Sequence, residues 1–436
     1  MIISEKLRAL GAEAERELGG IFADIDRISE INTEKVLDAF REAEISESHF
    51  APSTGYGYGD RGRDAVDAVA TRIFGGEAGF MRPSIISGTH ALTVGLFALL
   101  RPGDVMLSVT GRPYDTLTEV IGIDCPNGDG SLADFGVKYE EIPLSESGEI
   151  DLAAVRVAAE RLRGSLRVVF IQRSKGYLSR PTLTVSQIRR AAHGVREIAR
   201  SLGIEPPFVA VDNCYGEFTE LSEPCFDPSL PEEEAVDMVI GSLIKNPGGG
   251  MADTGGYIIG SKRAAELAGY RLCCPGVGLD AGASLGQNRN ILKGLFYAPH
   301  TVAQAMKTAH LAAYVFSRLG YRVSPGPTER RSDIIQTVDL GTPEGLVGFC
   351  QGIQSSSPVD AHVSPEPWAM PGYADEVVMA AGAFTGGSSI ELSCDGPMRP
   401  PYTAFLQGGL TWESGKLGIL RAAQTVLEKS GKDFDL

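Results

Sequence analysis

Long apolar runs are missing from this 436-residue chain, so no stretch of it reads as a membrane span. The opening Met1-Ile-Ile-Ser-Glu-Lys-Leu-Arg segment turns charged at once and has no signal-peptide core. Positive charge is also in deficit, with 40 Lys and Arg against 56 Asp and Glu and a formal net charge of −16. That sign argues against nucleic acid as a partner, because a phosphate backbone selects basic faces; its ordinary use is solubility. Cysteine is sparse and unpatterned. The seven cysteines are odd in number, no CxxC pair occurs and Cys273-Cys274 are adjacent, so neither a disulfide framework nor a zinc site is indicated. The six histidines are dispersed without a ligand pattern, and no metal is expected. These absences fit a soluble protein of a reducing cytoplasm, with no membrane partner.

What is present is an α/β pattern. Hydrophobic content of 43% and charged content of 22% are ordinary for a globular protein, and the length suffices for two domains. The first fifty residues read as short helices, with Asn32 or Thr33 capping a run that carries Val36, Leu37 and Phe40. Gly55-Tyr-Gly-Tyr-Gly-Asp-Arg-Gly-Arg63 follows, too rich in glycine for helix or strand; by composition alone it suits a surface turn as well as a site. Beyond residue 66, helical stretches alternate with strand candidates Val105–Val109, Val168–Gln172, Phe208–Asp212, Met238–Gly241 and Gly256–Ile259. Continuous apolar strands between helices indicate a mostly parallel sheet covered on both faces. Ile188, Ala191, Ala192, Val195, Ile198 and Leu202 keep helical spacing, and Gly203 ends that helix. A longer helix is expected from about Thr301 to Leu319, then a smaller α+β domain with strands at Ile334–Val338, Glu376–Met379 and Ser389–Leu392. The expected division is 1–65 for N-terminal helices and an oligomerisation arm, 66–310 for a large domain and 311–436 for a small one.

The chemistry concentrates at strand ends. In Val209-Ala-Val-Asp-Asn-Cys-Tyr215 an apolar run ends on Asp212, and in Val239-Ile-Gly-Ser-Leu-Ile-Lys245 a second ends on Ser242 and Lys245. In parallel sheets ligands sit beyond the carboxyl ends of strands. An acid and a lysine at two such ends suit pyridoxal phosphate: the lysine attaches the aldehyde and the acid keeps the pyridine nitrogen protonated. Lys175 and Lys262 are weaker rivals, Lys175 lacking a preceding acid strand and Lys262 following a strand beyond the glycine tract Gly248-Gly-Gly250. Ser87-Gly-Thr-His-Ala-Leu92 opens an apolar helix whose N-terminus, at Gly88 and Thr89, suits a phosphate, although Ser87 alone explains itself as a cap. Ser242 is a further phosphate candidate. Tyr114, in Arg112-Pro-Tyr-Asp115 after the Val105 strand, is placed to stack on a ring and move protons, or to be an ordinary half-buried aromatic.

Those motifs together resemble fold-type I, aspartate aminotransferase-like pyridoxal-phosphate enzymes of cysteine and methionine metabolism. Within them the likeness is to the methionine γ-lyase-like, or aluminium-resistance, branch, and it extends from the Tyr56 loop into the C-terminal domain. The resemblance implies a PLP-transferase fold, Lys245 as the Schiff-base lysine and Asp212 as partner of the pyridine nitrogen. It also implies Gly88, Thr89 and Ser242 around the phosphate, and Tyr114 on the ring. By the same resemblance Tyr56 and Arg61 reach a neighbouring subunit's phosphate site, which implies a homodimer or homotetramer with shared active sites. Arg399, preferred over Arg330, is taken as the clamp for the substrate carboxylate. Ile244 stands where better-studied lyases usually carry Ser or Thr, and Arg173-Ser-Lys-Gly-Tyr177 replaces their Asn-Pro pair. The expected activity is a carbon–sulfur lyase of the cystathionine β-lyase or methionine γ-lyase type acting on a small amino-acid substrate. An aminotransferase uses the same residues, and a non-catalytic pyridoxal-phosphate binder is the alternative from another class.

Overall fold

A computed structural model describes residues 3–123, 128–225, 231, 234–370 and 375–431. Two N-terminal helices come first, α1 (Glu5–Glu17) and α2 (Gly19–Glu42). The predicted cap at Asn32 or Thr33 is corrected: both lie inside α2, Asn32 buried and Thr33 Oγ1 donating to the Ser29 carbonyl at 2.8 Å. With no proline or glycine between Ile21 and Glu42, nothing interrupts the helix. By internal contacts the chain forms two compact units. One comprises Glu34–Leu243 and Ala252–Leu295; the other comprises Met1–Thr33, Ile244–Met251 and Phe296–Leu436.

The first unit is built on seven strands: β1 (Ala78–Arg82), β2 (Val105–Ser108), β3 (Lys138–Glu141), β4 (Leu166–Gln172), β5 (Phe208–Asp212), β6 (Met238–Ser242) and β7 (Gly256–Gly260). Their order is β1-β7-β6-β5-β4-β2-β3. Strands β6, β5, β4, β2 and β3 run parallel, while β7 is antiparallel to both neighbours. The expected mostly parallel sheet is therefore present. Two of its strands were not foreseen: β3 is the polar edge strand Lys-Tyr-Glu-Glu, and β1 is only five residues long. Helices α3 (Arg61–Phe74), α4 (Gly88–Leu99), α5 (Asp115–Ile121), α6 (Leu152–Leu162), α7 (Val185–Leu202) and α8 (Lys262–Leu272) belong to this unit. The glycine-rich stretch is a loop only as far as Asp60, since Arg61–Arg63 begin α3. Leu96, Met106, Val168, Phe170, Ala210, Ile240 and Ile258 meet in its core. Asp237, just before β6, ties the amino ends together: a carboxylate oxygen accepts from the Val209 amide at 2.7 Å and pairs with Arg196 at 3.2 Å.

Helix α9 (Asn288–Arg318) is 31 residues long and begins well before the predicted Thr301. Pro299 lies inside it, removing one backbone donor without ending the helix. The second unit carries β8 (Arg322–Ser324), β9 (Gln336–Asp339), β10 (Val377–Ala380), β11 (Ser393–Pro397) and β12 (Thr403–Gln407), an antiparallel sheet in the order β10-β11-β12-β9-β8. Helices α10 (Pro343–Gln354) and α11 (Trp412–Ser430) pack with α1 around Phe316, Leu346, Phe349 and Ile419. The strand predicted at Ser389–Leu392 is corrected to β11, which starts at Ser393. Leu392 has φ +102°, incompatible with extended backbone, although Ile390 and Leu392 are buried as the pattern suggested. Among the described residues no helix is long and apolar enough to cross a membrane, no disulfide forms, and no cluster of metal-ligating side chains exists; Cys125 lies outside them.

Helix α7 ends in left-handed Gly203, as its sequence predicts, and begins with a capping box. Thr184 Oγ1 accepts from the Gln187 amide at 3.1 Å, and Gln187 Oε1 accepts from the Thr184 amide at 2.9 Å. Thr184→Ala removes the first of these bonds and should cost about 1 kcal/mol. A thermal midpoint lowered by about 2 °C, read by circular dichroism, is the expected result.

Candidate active site

The carboxyl ends of β4, β5 and β6 bring Gln172, Asp212 and Ser242 to one end of the sheet. Gln172 and Asp212 are paired in register. Gln172 Oε1 accepts from the Tyr114 amide at 2.7 Å, and its Nε2 donates to the Ser174 carbonyl at 3.1 Å. The loop after β2 is thereby drawn to the end of β4, with Tyr114 at the head of α5. The half-buried Tyr114 ring meets Tyr177 edge-on at 5.5 Å. Gly176 makes room for it, since a Cβ there would lie 3.1 Å from Tyr114 Cδ2.

Asp212 is buried, and its Oδ1 accepts from the Cys214 amide at 3.1 Å. Cys214 in turn faces α4. A Cβ built on Gly88 would lie 3.6 Å from Cys214 Sγ and 3.5 Å from Ser242 Cβ. The turn after β5, the end of β6 and the first residue of α4 therefore converge within van der Waals reach. Ser87 caps α4 as its sequence suggests, accepting from the His90 amide at 3.0 Å. Gly88 and Thr89 occupy the first turn, whose amides have no partner within the helix and lie at the positive end of its dipole. Thr89 Oγ1 and Thr116 Oγ1 share a hydrogen bond of 2.9 Å, joining the heads of α4 and α5. Ser242 Oγ is buried without a hydrogen-bond partner among the described residues. An unsatisfied buried hydroxyl is costly unless a ligand meets it.

The remaining predicted residues are Lys245, Arg399, Tyr56 and Arg61. Lys245 follows β6 by three residues, is half-buried, and belongs to the second unit with the short turn Asn246–Gly248. Arg399 also belongs to that unit, in the turn after β11, where it pairs with Asp375 at 2.7 Å and is 48% exposed. Tyr56 is 76% exposed, its ring stacked on that of Tyr58 at 5.6 Å, and Arg61 is exposed at the start of α3. Their loop is set by Gly55, Gly57 and Gly59, all left-handed. It is anchored by Asp60, which accepts from the Arg63 amide at 2.9 Å, from Asn288 Nδ2 at 3.2 Å and from the Ser53 hydroxyl.

Sequence reasoning missed Gln172, Asn213, Thr116 and the whole environment of Arg173. Arg173 is fully buried, and Glu217, Glu220 and Glu223 are buried around the same turn. The run Arg173-Ser-Lys, two cations directly after an apolar strand, was the available signal.

Comparison with known proteins finds relatives that match nearly the whole chain. The profile of the methionine gamma-lyase family matches residues 7–427. An uncharacterized Bacillus subtilis protein, YnbB, is 46% identical over 425 residues, covering 98% of this chain and 97% of its own. A solved Listeria monocytogenes structure, described as a candidate cystathionine beta-lyase involved in aluminium resistance, is 45% identical with a TM-score of 0.90, covering 96% of this chain and 100% of its own. At 15% identity and TM-score 0.59, the pyridoxal-5'-phosphate-dependent Escherichia coli protein YhfS shares the fold, covering 93% of this chain and 97% of its own.

Burial pushes the Asp60 carboxyl up, but the hydroxyls of Ser284 and Ser53, the Arg63 amide and the Asn288 amide bring it down to about 2. A carboxylate so depressed stabilises the folded chain above its unfolded value near pH ~4 and loses that contribution as pH falls through about 2. The difference in thermal midpoint between the parent and Asp60→Asn should be constant above pH ~5 and shrink steadily toward pH ~2. A pH series of melting curves for both proteins checks this.

Proposed function

Because this chain belongs to the methionine gamma-lyase family, we propose that it is a pyridoxal-phosphate-dependent carbon–sulfur lyase acting on a sulfur-containing amino acid, of the cystathionine β-lyase or methionine γ-lyase type. The observation that carries the reading is the buried Ser242 hydroxyl, without a partner among the described residues, beside Gly88 at the N-terminus of α4, which also meets Cys214, two residues beyond Asp212. That donor set fits a phosphate, and the neighbouring carboxylate fits a protonated pyridine nitrogen. In this reading the amides of Gly88 and Thr89 and the hydroxyl of Ser242 hold the phosphate. Asp212 would keep the ring nitrogen protonated, Tyr114 would contact the ring, and Lys245 would be the covalent anchor. When bound, the cofactor supplies an electron sink for negative charge at the substrate α-carbon.

The chain's own groups then move protons and orient the substrate. The Lys245 amine is the base for the α-proton, and Tyr114 is a second proton carrier. Arg399 is assigned to the substrate carboxylate, which would replace Asp375 as its partner. Tyr56 and Arg61, exposed on a loop held rigidly by Asp60, are assigned to the phosphate of a second copy, giving shared sites in a homodimer or homotetramer.

Reduction of the loaded protein with borohydride should fix the cofactor on Lys245, located by peptide mapping; a label on Lys175 or Lys262 overturns that assignment. Ammonia and keto acid released from a sulfur amino acid without a co-substrate support the lyase. Ping-pong dependence on a keto acid makes the enzyme an aminotransferase, and a bound-cofactor spectrum indifferent to every amino acid tried makes it a binder. Asp212→Asn should keep the fold and lower turnover by at least about a hundredfold, since an amide cannot balance a pyridinium. Arg61→Ala should weaken cofactor binding, because a guanidinium–phosphate contact is charge-assisted. Mixing Arg61→Ala with Lys245→Ala subunits should restore activity, each hybrid dimer having one intact site; inactive hybrids with proven exchange would exclude sharing.

A further inference from the structure

Arg173 follows β4 directly and its side chain is wholly buried. Its Nη1 donates to Asn213 Oδ1 at 2.8 Å, and its Nη2 donates to Glu220 Oε1 at 2.9 Å and to Thr219 Oγ1 at 3.3 Å. Nε reaches the Leu183 carbonyl at 3.4 Å, and Glu223 lies 3.6 Å from Nη1. The Arg173 backbone amide donates to the Asp212 carbonyl at 3.0 Å. One residue thus holds two in succession, Asp212 by its carbonyl and Asn213 by its side chain.

The surrounding groups are arranged for this grip. Glu220 Oε1 also accepts from the Val185 amide at 2.8 Å. Glu223 accepts from Asn213 Nδ2 at 3.0 Å and from the Phe218 amide at 2.8 Å. Gly216 is glycine for space, not for backbone freedom: a Cβ there would lie 2.4 Å from Arg173 Cζ and Nε. Its φ is not in the left-handed region. Burying one guanidinium with two carboxylates gives little or no net stability over apolar residues of the same volume. What it does give is directional: planar, many-point hydrogen bonding that leaves one geometry for the turn after β5.

We propose that Arg173 is a positioning residue for Asp212, fixing the turn from which that carboxylate would meet the cofactor's ring nitrogen. The inference rests on the proposed cofactor and assigns Arg173 no contact with it. Two variants test it in the full-length, cofactor-loaded protein. Gly216→Ala displaces the guanidinium while keeping every charge, and Arg173→Lys keeps the charge but cannot reach Asn213, Thr219 and Glu220 together. Asp212→Asn serves as the reference. The readouts are the dissociation constant for pyridoxal phosphate, the pH titration of the bound cofactor's absorption, and the melting temperature of the cofactor-stripped protein.

Both variants should weaken cofactor binding about tenfold, the size of one lost charge-assisted hydrogen bond. Both should also move the spectral pH transition in the direction that Asp212→Asn moves it. Should either fail to fold, Thr219→Val removes the hydroxyl that accepts from Arg173 and donates to the Gly216 carbonyl, changes no charge, and should give the same shifts at smaller amplitude. Cofactor affinity and spectral pH profile equal to the parent's, with only the melting temperature lowered, would reduce Arg173 to a structural role and overturn the proposal. A parent protein that binds no pyridoxal phosphate, or an Asp212→Asn variant with an unchanged spectrum, would instead overturn the functional reading on which the proposal stands.

Discussion

The pairing of β4 with β5 is the constraint on which the site depends. Because the strands are parallel and in register, Gln172 and Asp212 end side by side, and both chains turn outward at the same level. Everything that converges there does so through those two turns. Gln172 draws in the Tyr114 loop, and Cys214, two residues beyond Asp212, meets the head of α4 and the end of β6. A slip of one residue would reverse the facing of every side chain on β5 and send Asp212 to the opposite face. The apolar run Val209-Ala-Val211, buried on both faces, guards against such a slip through its packing.

Much of this sheet was legible because buried parallel strands are short, apolar and bounded by polar turns. Val168–Gln172 and Phe208–Asp212 carry that signature plainly, and β5 occupies the residues its pattern indicates. The edge strand β3 did not, since Lys-Tyr-Glu-Glu has neither alternation nor an apolar run; it is a strand because β2 offers it a partner. In the second unit, the burial of Ile390 and Leu392 was readable while their conformation was not. Apolar periodicity reports which residues leave water, and the positive φ of Leu392 is set by tertiary contacts that no local pattern encodes. The length of α2 was underestimated for a related reason: Asn32 is a good cap in isolation, yet it is buried within a continuous helix.

At the candidate site, the residues that sequence singled out and the structure brings together are those whose chemistry is conspicuous at an element's end: Asp212, Ser242 and the small residues opening α4. The residues missed are those that act on other residues. Glu220 and Glu223 look like surface carboxylates in a chain of net charge −16, and only their burial around Arg173 gives them meaning. Gln172 is similar: an amide at a strand end is unremarkable until its oxygen is seen accepting from the Tyr114 amide. Isolated functional groups can be read from a string of residues, whereas their supports are defined by who touches whom.

The antiparallel course of β7 gives the sheet two ends of unlike character. Its last residue, Gly260, lies with the amino ends of the parallel strands, where the Ser261 amide donates to the Asp237 carbonyl and the Glu77 amide donates to the Gly260 carbonyl. That end is tied together by backbone bonds and by the Asp237–Arg196 pair. Chemistry and cohesion are therefore separated by the length of a strand. Sequence drift at Glu77, Arg196 and Asp237 would register as changes in how much folded protein a cell retains, whereas on the proposed reading drift at Asp212, Ser242 and Gly88 would register as changes in what that protein does.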